Sequence, residues 1–382
     1  MPARDDGSLC QTGRLMRILH VYAGNLYGGV EAMLATFARE RHRVPELEPR
    51  FALAFEGRLA RELREAGAHV ETVGAARLSR PWTVWRARRR LLETIERARP
   101  EVAVLHSAWA WAVFAPAVRR AGVPAVFWLH DAVSGGGAER MARRTPARLA
   151  VCTSRFVQGT LPRLFPHARG EVVYPSVPAP RDFSAERAAV RAELGTADDA
   201  VVIVQASRME PWKGHRVHLE ALGRIAGDPR WTCWLAGGAQ RPAELKHLGE
   251  MRALAERLGI GGRVHWLGER GDVPRLLAAA ELLCQPNLGP EPFGMTYVEA
   301  MHARLPVIAA ATGGALEIVT PSDGLLVPSA DVEATADALR RLIGDAELRA
   351  RLGAAGPARA RELCDPEGQM RRLHRLLGEV AA

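Results

Sequence analysis

Two glutamates, Glu291 and Glu299, stand with seven residues between them in GPEPFGMTYVEAM, 289–301. The stretch reads as a loop from Glu291 to Gly294 that runs into a helix from Met295 onward. Phe293 and Gly294 would then present backbone N–H groups at a helix N-terminus, a natural seat for hydroxyl or phosphate oxygens. Glu299 lies about one turn further in, where an ionised carboxylate accepts two ribose hydroxyls well. On spacing alone, Glu291 as a surface cap and Glu299 as a solvated helix residue fit equally.

A second cluster is ASRMEPWKGH, 206–215. Arg208 ends a buried strand, and Lys213 precedes Gly214 and a helix. Two cations at the carboxyl end of a parallel strand suit a diphosphate, Arg as a planar fork and Lys as a point charge. The alternative is an ordinary connecting loop, and the stretch is not a P-loop, because GxxxxGK[ST] is absent. Gly28 and Gly29 follow the first strand, where the lack of Cβ lets a ligand approach the backbone. With Gly24 they do not form GxGxxG, so a nicotinamide site has no support. His130 and Asp131 follow the strand PAVFWL, which aims His130 into a cleft as donor or acceptor for a ligand hydroxyl; a packing histidine beside a capping Asp is the competing reading. His106 carries the same ambiguity. Gly237, Gly238 and Gly268 end strands and either line a base or ribose pocket or form turns.

Short apolar strands must position these residues. RILHVY (17–22), FALAF (51–55), HVETV (69–73), EVAVLH (101–106), PAVFWLH (124–130) and ARLAVC (147–152) alternate with helical stretches, the pattern of a parallel sheet covered on both faces. The alternation breaks at VVYPSVPAPRDF (172–183), where three prolines mark a boundary. It resumes with AVVIVQAS (200–207), TCWLAGG (232–238), RVHWLG (263–268), ELLCQPN (281–287), LPVIAA (305–310) and GLLVPS (324–329), and 330–380 is almost all helix. The expected organisation is a disordered tail over 1–15, a Rossmann-like domain over 16–178, a second over 179–365, and a terminal helix over 366–382 returning to the first domain. Two doubly wound α/β units joined in this way leave a cleft at the carboxyl ends of both sheets.

At 382 residues, 48% hydrophobic and 25% charged, the chain has the profile of a soluble globular protein and no apolar run long enough to span a membrane. Its five scattered cysteines contain no CxxC, which argues against a zinc site or disulfide framework and suits a reducing cytoplasm. The net charge of +9 is uneven. Residues 1–180 hold 27 Arg against 16 acids, whereas 181–382 hold 25 basic residues against 27 acids. No nucleic-acid motif accompanies the basic half; a phosphorylated ligand or an acidic membrane surface explains it equally well. Only two of the 52 basic residues are Lys, at 213 and 246, which singles out Lys213.

In order along 16–380, the Gly-Gly loop, the His-Asp pair, SR-x4-KG, LAGG, WLGE, E-x7-E, PVIA and DGLLVPSAD resemble the retaining nucleotide-sugar glycosyltransferases of the GT-B fold, family 4. The resemblance implies a donor domain built on the second unit and an acceptor domain on the first. It implies that Arg208 and Lys213 bind the diphosphate and stabilise its departure. Glu299 would hold the ribose, Glu291 the sugar hydroxyls, and the backbone of Phe293, Gly294 and Met295 the sugar and distal phosphate. Gly28 and Gly29 would close over that phosphate, His130 would touch the transferred sugar, and Gly237 and Gly268 would sit near the base. Cations in place of a DxD-bound metal imply that neither metal nor cofactor is needed, with a nucleoside-diphosphate sugar as co-substrate and a hydroxyl acceptor. A hydrolase or epimerase acting on the nucleotide sugar, or a non-catalytic nucleotide-sugar binder, are the alternatives.

Three departures from the family pattern stand out. Arg304 occupies the usual glycine in EAMHARLPV, implying a differently built turn; YPSVP replaces NGVD in the linker, and Asn287-Leu288-Gly289 replaces a Ser-rich start to the sugar loop. The segment 80–100 sets Arg80, Arg86, Arg88, Arg89 and Arg90 beside Trp82 and Trp85. It reads either as a helix covering the sheet or as a peripheral contact with anionic lipid at the inner face of a membrane.

Overall fold

The computed structural model describes residues 15–381; the tail expected over 1–15 lies, all but Leu15, outside the described residues. Two parallel sheets organise the chain. The first contains β1 (Met16–Tyr22), β2 (Leu47–Leu53), β3 (His69–Thr72), β4 (Val102–His106), β5 (Ala125–Leu129), β6 (Leu149–Cys152) and β7 (Arg169–Val172), in the order 3-2-1-4-5-6-7. The second contains β8 (Val201–Ala206), β9 (Trp231–Ala236), β10 (Val264–Gly268), β11 (Leu282–Gln285), β12 (Val307–Ala310) and β13 (Gly324–Val327), in the order 10-9-8-11-12-13.

β4 and β8 are buried along their whole length, which is why their sequences run apolar without alternation. The strand order reverses between β1 and β4 and again between β8 and β11, so each sheet opens a crevice at that carboxyl edge. β7 is an edge strand with a partly exposed RGEV sequence, and periodicity does not reveal it. Nor does it reveal the short helices Gly137–Ala142 and Arg155–Thr160.

The chain crosses between the units twice. At 174–177 the Val177 N–H donates to the Cys364 carbonyl at 3.0 Å and the Tyr174 N–H to Gln369 Oε1 at 3.1 Å. The terminal helix Pro366–Ala381 then buries Met370, Leu373, Leu376 and Leu377 in a core shared with Ile18, Val104 and Val126. At about 1.5–3 kcal/mol for each fully buried side chain, this helix ties the ends of the chain together.

Some of the arginines are structural. Arg191, 1% exposed, pairs with Glu281 at 2.6 Å and donates to the carbonyls of Ala197, Asp198 and Ala200. Arg88 folds back onto the carbonyls of Ala112 and Val113, which removes it from the exposed basic face of the helix Pro81–Ala98.

Arg304 corrects one expectation. The turn after the helix Met295–His302 is not rebuilt, because Arg304 adopts φ 60°, the left-handed conformation a glycine would take. Its N–H donates to Met301 O at 3.0 Å and that of Leu305 to Ala300 O at 2.9 Å. The arginine carries the strain of that conformation.

Candidate active site

The two crevices face one another across a cleft of about 610 Å³. Gly28, Gly29, His130, Arg208, Lys213, Glu291, Phe293, Gly294, Met295 and Glu299 all line it. The rims meet directly. The Gln240 amide donates to the Tyr27 carbonyl at 2.9 Å, Arg58 pairs with Glu269 at 2.7 Å, and Ser154 Oγ donates to the Pro292 carbonyl at 2.6 Å.

Both cations are fixed from behind. The Gln205 amide donates to the Lys213 carbonyl at 2.8 Å, while His218, pushed down to about 3 by burial and therefore neutral, lies 2.8 Å from Gln205 Oε1. Gly214 permits this turn, with φ 75° and the Pro286 carbonyl only 1.9 Å from where a Cβ would lie. Lys213 Nζ pairs with Glu291 Oε2 at 2.7 Å, and Asn287 Nδ2 donates to the same oxygen at 2.7 Å. Arg208 pairs with Glu244 and with Glu210 at 3.0 Å, while its Nε is buried with no hydrogen-bond partner among the described residues. Each cation is therefore compensated by a carboxylate that an incoming anion would have to share or displace.

Beside them, Gly294 at φ 109° turns the chain into the helix Met295–His302, whose first residues line the cleft. The Tyr297 ring lies 2.3 Å from a Cβ at Gly294, so no larger residue fits. The Phe293 ring is buried against Tyr174, which leaves its backbone for the cleft. Glu299 is half-buried, and desolvation lifts it to about 7, so it is neither a freely solvated residue nor fully ionised at neutral pH.

Gly237 and Gly268 do not line this cleft. The Gly237 N–H donates to Gly268 O at 2.7 Å, and a Cβ at Gly237 would fall 1.8 Å from the Ser207 carbonyl. Gly237 thus sets the backbone path that leads to Arg208.

Two family models match the chain: "Glycosyltransferase Family 4" over residues 27–181 and "Glycosyl transferases group 1" over 186–359. Between them they take in every strand but β1 and every cleft residue named above.

The chain belongs to the family 4 glycosyltransferases of the GT-B fold.

Among solved structures, this family 4 chain is similar to Anabaena HepE in complex with UDP-glucose, with TM-score 0.84 and 26% identity over 95% of this chain and 100% of that one. Among curated proteins it is 34% identical over 182 residues to a GDP-mannose-dependent monoacylated alpha-(1-6)-phosphatidylinositol monomannoside mannosyltransferase of Corynebacterium glutamicum, covering 45% of this chain and 46% of the relative. It is 33% identical over 212 residues to a D-inositol 3-phosphate glycosyltransferase of Nocardioides sp., covering 51% and 45% respectively. The matched portion thus spans about half the length of these curated relatives.

Several site residues of this family 4 chain escape motif reading. Glu244, buried 36 positions beyond Arg208, is its carboxylate partner and also accepts the Gln240 N–H at 2.7 Å. Glu31, also buried, reaches back to accept the Gly28 N–H at 2.9 Å, and burial raises its carboxyl above the usual range. A glutamate two positions after Gly-Gly is the only sequence signal for the latter.

Proposed function

We propose that this chain transfers a sugar from a nucleoside-diphosphate-sugar donor to a hydroxyl acceptor, with retention of anomeric configuration and without a divalent metal. The observation that carries this reading is the convergence of Arg208 and Lys213, at the carboxyl end of β8, on the same cleft as Glu291 and the helix N-terminus at Phe293–Met295. As the anomeric C–O bond breaks, its electron pair passes to the diphosphate. Arg208 and Lys213 meet that developing charge, and the helix N-terminus adds its partial positive charge. The acceptor oxygen bonds to the anomeric carbon on the face the diphosphate leaves, and its proton passes to the departing phosphate oxygen. Glu291, released from Lys213 as the diphosphate arrives, is then available to sugar hydroxyls. The donor and acceptor named for the relatives guide the choice of substrates: UDP-glucose, GDP-mannose, inositol phosphates and phosphatidylinositol mannosides.

Replacing Glu291 and His130 separately by Ala tests the enzymatic reading. Unchanged nucleotide affinity with lowered transfer supports it. Sugar release without any acceptor product favours a hydrolase, and the absence of turnover in wild type favours a binding protein.

Among the described residues no helix is long and apolar enough to cross a membrane. The helix Pro81–Ala98 exposes Trp82 and Trp85 at 61% and 65%, flanked by exposed Arg80, Arg86, Arg89 and Arg90. This face supports peripheral contact with an anionic leaflet, which would bring the cleft to a lipid-linked acceptor. Co-sedimentation with anionic vesicles at low salt, lost in Trp82→Ser/Trp85→Ser, is the expected result; no sedimentation of wild type would overturn it.

A further inference from the structure

Three histidines form a continuous buried row in the first sheet. Parallel pairing sets His20 opposite Val104 and His106 opposite Trp128, so His106 and His130 each lie two residues beyond the neighbouring strand's level. The row therefore keeps to one face of the sheet and climbs diagonally towards the cleft. His20 Nδ1 is 3.0 Å from His106 Nε2, and His106 Nδ1 is 2.9 Å from His130 Nε2. The successive rings are inclined by only 27° and 16°. Trp128 stacks on the outer two rings, while Phe37 and Phe51 enclose His20. Ser107, immediately after His106, takes φ 82°, a strained turn that leads β4 directly into its helix.

The two ends of the row differ. His130 lines the cleft, whereas His20 Nε2 is buried with no hydrogen-bond partner among the described residues. Burial keeps all three rings neutral, His20 and His130 being pushed down to about 3 and His106 well below its usual value. A neutral imidazole has one N–H and one lone pair, so a row joined by two hydrogen bonds has two states, which reverse as a unit. In one, every Nδ1 carries the proton, and His130 offers an N–H to the cleft. In the other, every Nε2 carries it, His130 offers only a lone pair, and an N–H is stranded between Phe37 and Phe51. Orphaned buried N–H groups are the rarer defect.

We propose that His20 and His106 are positioning residues that hold His130 Nδ1 as a fixed N–H donor to a hydroxyl of the bound sugar. The row is not a proton conduit, because its inner end is closed; no bond is made or broken along it. The sugar as partner rests on the transfer reading above, while the protonation pattern belongs to the unliganded chain.

The test is 15N-histidine NMR on the full chain without substrate, followed by kinetics of two variants. Nδ1–H at all three rings is expected; Nε2–H at His130, or a mixture, would overturn the inference. His106→Gln retains an N–H able to donate to His130 Nε2 and is expected to keep most of kcat. His106→Met offers only a weak acceptor, and is expected to shift His130 towards Nε2–H and to lower kcat about tenfold at unchanged donor KM. Equal losses in the two variants would mean that His106 only packs. If the NMR pattern is as expected but wild type releases no nucleotide from any donor, the transfer reading fails and the fixed tautomer stands.

Discussion

The two walls of the cleft solve opposite electrostatic problems. The second-domain wall carries full charges, Arg208 and Lys213, each held against carboxylates at salt-bridge distance. The first-domain wall lines the cleft without a cation: it carries a stacked histidine row and the Gly28–Gly29 backbone, beside two carboxyls, Glu31 and Asp131, that burial raises above their usual range. A charged wall suits a ligand portion that gains charge during reaction, and a cation-free wall suits one recognised by its hydroxyls. On the proposed function, the contrast divides binding and orientation between the domains, whose rims meet across the cleft.

The contrast can be broken most forcefully at Lys213. Lys213→Ala removes a charge from the developing diphosphate and leaves Glu291 without its cation; donor-dependent nucleotide release should fall by at least ~100-fold. If instead it falls only a fewfold, the charged wall is structural. His130→Ala removes one hydrogen bond from the first-domain wall and should lower kcat about tenfold, with nucleotide affinity measured by calorimetry unchanged.

The walls also titrate differently. His130 stays neutral far below neutrality, so it should add no inflection between pH 6 and 9. Glu299, lifted to about 7, should ionise within that window and strengthen ribose binding, so the donor KM should fall from pH 6 to 8 in wild type and stay flat in Glu299→Gln. Stability follows the reverse sign. A raised carboxyl pKa favours the fold below the unfolded value of 4.5, and that contribution is lost as pH rises through about 7. Without ligand, Glu299→Gln should therefore melt above wild type at pH 8 and with it at pH 4.5. The buried histidines work the other way: their contribution is present above about 6.5 and lost as pH falls towards about 3.

The smallest effect lies behind the charged wall. Arg304→Gly relieves a left-handed strain of about 1–2 kcal/mol, partly offset by greater freedom of the unfolded chain. Tm should rise by about 1–3 °C with activity unchanged.

What the sequence discloses follows from the range of each interaction. The strands read directly because sheets buried on both faces demand apolar runs, and β7 does not because its RGEV sequence at a partly exposed edge has only one apolar residue. Arg208 and Lys213, like Glu291 and Glu299, fall within short segments whose spacing a strand end or a helix turn dictates. Glu244 and the row of His20, His106 and His130 depend on which strands and helices become neighbours, and no spacing along the chain encodes that order. Gly237 shows the converse: a glycine at a strand end signals close backbone approach, here to the Ser207 carbonyl, without saying whether the neighbour is ligand or protein.

The most direct measurement is mass spectrometry of nucleotide release from UDP-, GDP-, ADP- and dTDP-sugars, with and without EDTA, for wild type and Lys213→Ala. Release of one nucleoside diphosphate, unaffected by EDTA and lost in the variant, is the expected result. No release and no binding of any nucleotide by wild type, or release undiminished in Lys213→Ala, would contradict the division of labour between the two walls.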